Sequence, residues 1–303
     1  MGQEIVKLDN GRIVLICGDC LIWLPKIKVP IDLVIADPPQ RVTNQQWDQQ
    51  WSTNEDYYSW HFYWTYYCKL LMCNTASLYL WQTIGSKQYS LFKIANDLTT
   101  ELTFQDWITW KKSRGMGNRK GWLYTREECL WFTKTNSYIW NIDAQYDLTQ
   151  PTNRKDLGYN GKPRKSQFKR YTNIWECNED QNYGADRIRE HYTPKPLGLI
   201  ERIVNAHTLT ANDVVLDPFL GSGTTGVACA KLNRRFIGIE KDPTYYEEAV
   251  RRLQEASRPG LLLASNDKMP TLFGDSAFGS IGTKRRLQRE AKEKQEAQDA
   301  DST

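Results

Sequence analysis

The chain has 303 residues, 40% of them apolar, with 40 Lys and Arg against 36 Asp and Glu. That suffices for a substantial core, arranged as one large domain with insertions or as two small ones, and excludes an intrinsically disordered chain. A formal net charge of only +4 leaves any case for an anionic partner to local clusters.

No run of about 18 apolar residues occurs and no charged-then-apolar leader opens the sequence, so no membrane partner is expected. The seven cysteines are odd in number, and Cys17, Cys68, Cys129 and Cys229 sit inside apolar runs, the pattern of reduced thiols in a cytoplasmic protein. Cys17-Gly18-Asp19-Cys20 has Cys-x-x-Cys spacing, but there is no second pair and His61, His191 and His207 are scattered, so no metal site is expected. Twelve Trp and sixteen Tyr suit cores, interfaces and nucleobase stacking alike.

In chain order, residues 11–17 and 31–36 are short β-branched runs that end in a turn or a Pro-rich element and read as buried parallel strands. The polar residues after them fall at the strands' carboxyl ends. Residues 55–73 read as an aromatic-rich helix, 76–82 as a strand and the stretch near 86–98 as a helix. Strands follow at 104–111 and 127–133, joined by a Gly- and Arg-rich loop from Ser113 to Gly121. From 141 to 190 the apolar period disappears, which marks an irregular insertion. A helix at 195–207 precedes a strand at 213–216, a Gly turn, a helix at 223–232, a strand at 235–239 and a helix at 243–256, a βαβα unit with short connections. Beyond about residue 258 the chain opens on Pro259-Gly260 and ends in an alternating-charge run from Lys284 to Asp301, expected to be solvated.

Val214-Val215-Leu216 runs into Asp217-Pro218-Phe219-Leu220-Gly221-Ser222-Gly223-Thr224-Thr225. Here a buried strand meets a helix through a turn whose glycines let backbone approach a ligand, while the helix N-terminus offers N–H groups to an anion such as a carboxylate. Gly-x-Gly alone is more often a tight turn. The next strand, however, ends in Ile237-Gly238-Ile239-Glu240, about 20 residues on, where an acidic group can accept both hydroxyls of a ribose. The turn lacks the third Gly that seats a pyrophosphate and the Lys of a P-loop. The expected ligand is therefore a nucleoside with a small carboxylate rather than a diphosphate.

Asp37-Pro38-Pro39-Gln40 closes the strand at 31–36. The exocyclic amine of a nucleobase is a poor nucleophile because its lone pair is delocalised into the ring. A carboxylate and a backbone carbonyl that accept its two N–H groups favour the pyramidal form, and Asp37 followed by two prolines supplies both acceptors without competing N–H donors. As an isolated tripeptide, Asp-Pro-Pro also reads as a simple strand-ending turn.

Taken together, the two segments give the chain its resemblance to the amino-group DNA methyltransferases, which methylate adenine N6 or cytosine N4 with S-adenosylmethionine. Asp37-Pro38-Pro39 matches that family's catalytic motif, and Asp217 to Thr225 matches its Asp-Pro-Phe-x-Gly-Ser-Gly-Thr-Thr cofactor motif throughout. Gly18-Asp19-Cys20 is similar to the family's Gly-Asp segment, and His191-Tyr192-Thr193-Pro194-Lys195-Pro196 to its His-Pro-Thr-Gln-Lys-Pro segment with two substitutions. Trp110-Lys111-Lys112, the glycine loop and Glu127-Glu128-Cys129-Leu130-Trp131-Phe132 resemble its middle strands, so the likeness spans residues 5–255. With the catalytic motif first and the cofactor motif last, the order is the β-type permutation.

The resemblance implies an α/β fold: a Rossmann-like sheet of seven strands with helices on both faces and a small irregular target-recognition insertion. Residues 1–134 then form the catalytic half, 135–190 the insertion, 191–257 the cofactor-binding half and 258–303 a charged tail. It implies methyl transfer to a flipped base in double-stranded DNA, adenine N6 ahead of cytosine N4 because the Asp-first motif is commoner for adenine; RNA methylation is a further alternative. The setting implied is the cytoplasm of a bacterial or phage-infected cell, with room for a homodimer and an accompanying restriction nuclease. Among the residues, Asp37 and the Pro38 carbonyl are to hold the amine, with Pro39 and Gln40 completing the motif. Asp19 is to meet the cofactor adenine, Glu240 the ribose, and Phe219, Gly221, Ser222, Gly223, Thr224 and Thr225 the methionine part, with Asp37, Lys195 and Asp217 also facing the cofactor.

One position departs from the family pattern. The aromatic residue that follows Asp-Pro-Pro and stacks on the flipped base is replaced by Gln40. Either Gln40 reads the base edge by hydrogen bonds, or the substrate is unusual, or activity is impaired in a DNA-binding homologue. Trp47 is the candidate substitute for stacking. For the DNA backbone, Arg154, Lys155, Lys162, Arg164, Lys165, Lys169 and Arg170 stand against the single acid Asp156, and Arg114 and Arg119 in the glycine loop form a second basic element. Neutralising Lys162, Arg164 and Lys165 together is expected to flatten a plot of log binding constant against log salt, its slope falling by roughly 0.9 for each phosphate that the variant no longer neutralises. An unchanged slope removes this stretch from the interface.

Overall fold

A computed structural model describes residues 4–43, 46–83, 90–116, 120, 122–151, 168–176 and 194–257. Its centre is a nine-stranded sheet in the order β1-β2-β11-β10-β3-β4-β6-β5-β9. The strands are β1 (Glu4–Leu8), β2 (Ile13–Cys17), β3 (Ile31–Ala36), β4 (Met72–Gln82), β5 (Thr103–Met116), β6 (Tyr124–Thr133), β9 (Ile174–Glu176), β10 (Val214–Asp217) and β11 (Arg235–Glu240). A separate antiparallel pair joins β7 (Tyr146–Pro151) to β8 (Phe168–Arg170).

Alternation along the central strands sorts the core into two layers. Val14, Ile16, Val34, Leu216, Ile237 and Ile239 pack on one face with α1 (Cys20–Trp23), α2 (Asn54–Leu71) and α3 (Ser90–Leu98). Ile13, Leu15, Leu33, Ile35, Val215 and Phe236 pack on the other with α4 (Leu197–His207), α5 (Thr224–Lys231) and α6 (Pro243–Ala256). Because both faces of the sheet are covered, its central strands are apolar at successive positions, as the sequence runs foreshadow. Helix ends follow local chemistry. Thr53 and Asp56 form a reciprocal capping box at the start of α2, and Asp242 caps α6 with Pro243 in its first turn.

β2, β11, β10, β3 and β4 run parallel, so their carboxyl ends share one edge. β10 and β11, late in the chain, lie between β2 and β3. β6 runs antiparallel to β4 with Gln82 opposite Glu128, which carries the start of β6 beyond the end of β4 on that same edge.

The sheet has nine strands where seven were expected. β1 adds to β2 as an edge hairpin through Asp9, Asn10 and Gly11, all at positive φ. Its five residues alternate only weakly in burial, so period-2 patterning gives little signal. β9 comes from inside the supposedly irregular insertion and pairs parallel with β5 through Thr109, Trp110 and Lys111. Only Trp175 of its three residues is buried, too short a run for any periodicity. β5 also continues to Met116, into the stretch read as a loop, with its register broken between Lys111 and Met116. Among the described residues no helix is long and apolar enough to cross a membrane.

Candidate active site

Asp37 and Asp217 emerge side by side, because β3 and β10 pair in parallel with Leu216 opposite Val34. Glu240 ends the next strand, where β10 and β11 set Asp217 opposite Gly238. One cavity of about 860 Å³ opens over these three strand ends. It is lined by Asp37, Pro38, Pro39 and Gln40 from one motif and by Asp217, Phe219, Gly221, Ser222, Thr224 and Thr225 from the other, with Glu240, Trp47 and Lys195 around them.

The glycine turn is pinned from several sides. Asp217 accepts from the Thr225 hydroxyl at 2.6 Å and the Phe219 N–H at 3.0 Å, and the Leu220 N–H donates to the Ile239 carbonyl at 2.9 Å. Gly221 and Gly223 take left-handed φ of 52° and 86°, conformations that L side chains adopt at a cost. A Cβ on Gly223 would also lie 3.1 Å from Ala249 Cβ, so the third glycine-motif residue serves helix packing rather than the cavity wall. Arg252 of α6 donates to the Ser222 carbonyl at 2.5 Å. Glu240 accepts from the Gly221 N–H at 2.7 Å and the Asp242 N–H at 2.8 Å, one to each carboxylate oxygen. Burial raises the carboxyls of Asp217 and Glu240 to about 7 each, so hydroxyl donors or a positive ligand would be welcome beside them.

The Asp37 loop is shaped by Asp48. That buried carboxylate accepts from the Gln40 N–H at 2.7 Å, the Arg41 N–H at 2.7 Å, the Thr43 N–H at 2.6 Å and the Thr43 hydroxyl at 2.9 Å. Tyr57 of α2 donates to the Pro39 carbonyl at 2.9 Å and itself accepts from Gln82 at 3.1 Å. Both oxygens of Asp37 are engaged: Oδ1 accepts from Gln40 Nε2 at 2.9 Å and Oδ2 from Lys195 Nζ at 2.5 Å. Lys195 also pairs with Glu127 at 3.2 Å, and Glu127 with Lys112. Burial pushes the Asp37 carboxyl up against the pull of Lys195. Glu127 lies below its ordinary value because Lys195 and Lys112 overcome its burial, and Lys195 lies above because Asp37 and Glu127 overcome its own.

Of the remaining expected residues, Trp47 lines the cavity, whereas Asp19 and Arg170 do not. Asp19 is the N-cap of α1, accepting from the Leu21 N–H at 2.9 Å, and pairs at 3.1 Å with Lys241, which lines the cavity. Trp47 lines the cavity and is exposed, edge-on to Tyr245 at 6.5 Å between centroids. Arg170 is exposed at the end of β8, Lys169 belongs to that strand and Arg114 to β5. Arg119, Lys162, Arg164 and Lys165 lie outside the described residues, as do Arg154, Lys155 and His191 to Thr193. Reading the sequence alone gives no role to Lys112, Glu127, Asp48 or Arg252. Glu127 and Lys112 become legible only once β5 and β6 are paired, with Trp110 opposite Glu127.

A family model described as DNA methylase, of the N6/N4 methyltransferase type, matches residues 31–251. The chain belongs to this family. It is 31% identical over 250 residues to the type II methyltransferase M1.MboII of Moraxella bovis, covering 76% of this chain and 92% of that one. It is 29% identical over 266 residues to the DNA adenine methyltransferase YhdJ of Escherichia coli K12, covering 84% and 87%. Among solved structures, the M1.HpyAVI–SAM complex aligns with a TM-score of 0.54 at 26% identity, covering 80% of this chain and all of that one. The cytosine-N4-specific PvuII methyltransferase aligns with a TM-score of 0.61 at 17% identity, a likeness of fold.

S-adenosylmethionine is the family's methyl donor, and the residues present suit it. Glu240 lines the cavity as an acceptor for ribose hydroxyls, and the glycine turn opens onto the start of α5, where N–H groups favour a carboxylate. Asp37, Glu127, Asp217 and Glu240 give the cavity an acidic lining appropriate to a sulfonium.

Replacing Lys195 by Met would leave Asp37 and Glu127 facing each other without the shared cation. The expected loss is about 3–5 kcal/mol of stability at neutral pH, read by denaturant unfolding. Adding Glu127→Gln should restore part of it, and an unaltered stability of the single variant would contradict the pairing.

Proposed function

We propose that the protein methylates adenine N6 in double-stranded DNA, as a modification enzyme acting in the cytoplasm. The observation that carries this reading is the donor on Asp37. Gln40 places a planar, conjugated NH₂ group 2.9 Å from Oδ1, the same donor chemistry that an exocyclic amine presents. The acceptor for the target is thereby marked in the same cavity as the glycine turn and Glu240. Preference for adenine draws on the Asp-first motif and on the name of the Escherichia coli relative.

In this reading the Gln40 carboxamide swings away and the amine donates one N–H to Asp37 Oδ1, with the Pro38 carbonyl assigned the other. Drawing both N–H groups toward acceptors localises the nitrogen lone pair, and the walls fix its approach. When bound, the cofactor supplies an electrophilic methyl on a cationic sulfur. The nitrogen then sheds a proton, and the Asp37 carboxylate, already raised by burial, is placed to take it. Lys195 and Glu127 hold Oδ2 of that carboxylate, so Asp37 enters each cycle in one orientation. Trp47 supplies the ring face that Gln40 lacks.

The test supplies purified protein with methyl-labelled S-adenosylmethionine and unmethylated duplex DNA, followed by mass analysis of the nucleosides. N6-methyladenine is expected; N4-methylcytosine would transfer the reading to the other base, and no methylated nucleoside would overturn it. Asp37→Ala is expected to abolish transfer while cofactor binding persists. Trp47→Ala should reduce turnover more than Gln40→Ala, and the reverse ranking would move the stacking role.

A further inference from the structure

Trp122 is fully exposed, and its neighbour Leu123 is 62% exposed. Trp is highly buried on average, so a Trp and a Leu exposed side by side form a small apolar patch that stands out from singly scattered surface residues. Both residues lie on the chain that leads from β5 into β6, immediately before Tyr124, which opens β6, pairs with Met116 and lines the cavity. Two residues of chain span at most about 7 Å, so the Trp122 backbone lies within that distance of a residue lining the cavity, and its ring is open to solvent.

In the DNA-methylation reading the target base leaves a duplex and enters this cavity. Extruding the base costs a few kcal/mol of unstacking and unpairing and leaves a gap in the helix. Apolar and aromatic side chains inserted between base steps compensate for such a gap. The same hairpin carries exposed cations around the apolar pair. Lys111 makes a surface ion pair with Glu176, the half-exposed Arg126 pairs with the buried Glu128, and Lys120 is exposed. The exposed Lys111–Glu176 pair contributes little and exchanges readily for a phosphate contact. An exposed apolar pair with the cations Lys111, Lys120 and Arg126 on the same hairpin matches the interior of a duplex flanked by its backbones, rather than a second protein surface.

We infer that Trp122, with Leu123 behind it, is a wedge that enters the DNA stack and holds open the space vacated by the target base. The inference rests on the DNA-methylation reading. It adds a positioning residue that acts on the duplex and touches neither the cofactor nor the reacting atoms.

The test uses the full chain and duplex oligonucleotides carrying the mapped methylation site, with the target base either paired or opposite an abasic position. Trp122→Ala is expected to lower the single-turnover rate on the paired duplex by about 10-fold, as for removal of one ring–base stack. On the abasic partner, where little energy is needed to extrude the base, the effect should shrink to about 2-fold or less. Trp122→Phe should stay near the parent on both. Thermal melting and S-adenosylmethionine binding of Trp122→Ala should match the parent, since the side chain is fully exposed. Equal reductions on the two duplexes, or none on the paired one, would overturn the wedge. A parent chain that transfers methyl to neither duplex would instead overturn the methyltransferase reading, and the wedge with it.

Discussion

Everything functional in this molecule follows from the adjacency of β3 and β10. They are parallel neighbours separated in sequence by most of the chain, so no short connection covers their carboxyl ends. The helices after β3 and β10 pack on opposite faces of the sheet, α2 on one and α5 on the other. A crevice opens where the winding reverses, the place where ligands bind in open α/β sheets. Asp37 and Asp217 meet there because of topology, whatever their distance in sequence. Without that reversal, the two motifs would be two unrelated turns.

Around the crevice, buried carboxylates do most of the shaping. Asp48 gathers three backbone N–H groups and a hydroxyl, giving the loop after Asp37 one conformation. Asp217 and Glu240 do the same for the glycine turn while their own ionisation is held back to about 7 by burial. Asp37 differs from all three. Its partners are a lysine and a side-chain amide rather than the backbone, so its bonds can be exchanged without unfolding a loop.

The strand-ending motifs were legible in the sequence because each follows an apolar run and each contains a residue whose backbone is constrained: Pro38 and Pro39 in one, Gly221 and Gly223 in the other. Glu240 was legible from its spacing after the turn. Lys112, Glu127 and Arg252 were not, since their roles depend on strand pairing and helix packing that bring distant positions together. For Asp19 the sequence match is joined by a structural role that no motif announces: the carboxylate caps α1 and pairs with Lys241, a residue that lines the cavity. β1 and β9 escaped because a short edge strand buries too little to impose a pattern.

β9 has a wider consequence. The polypeptide leaves the sheet after β6 and is stitched back to its far edge at Ile174, Trp175 and Glu176, with the Thr109 N–H donating to the Asn173 carbonyl at 2.8 Å. Trp175 sinks into the core beside Trp81, and Arg202 of α4 lies over its ring at 5.1 Å. The intervening stretch is therefore clamped at its exit as well as at its entrance. Such a double attachment makes β9 a fastener: the sheet edge beyond β5 is closed by returning chain, and the excursion that contains β7 and β8 begins and ends on one framework.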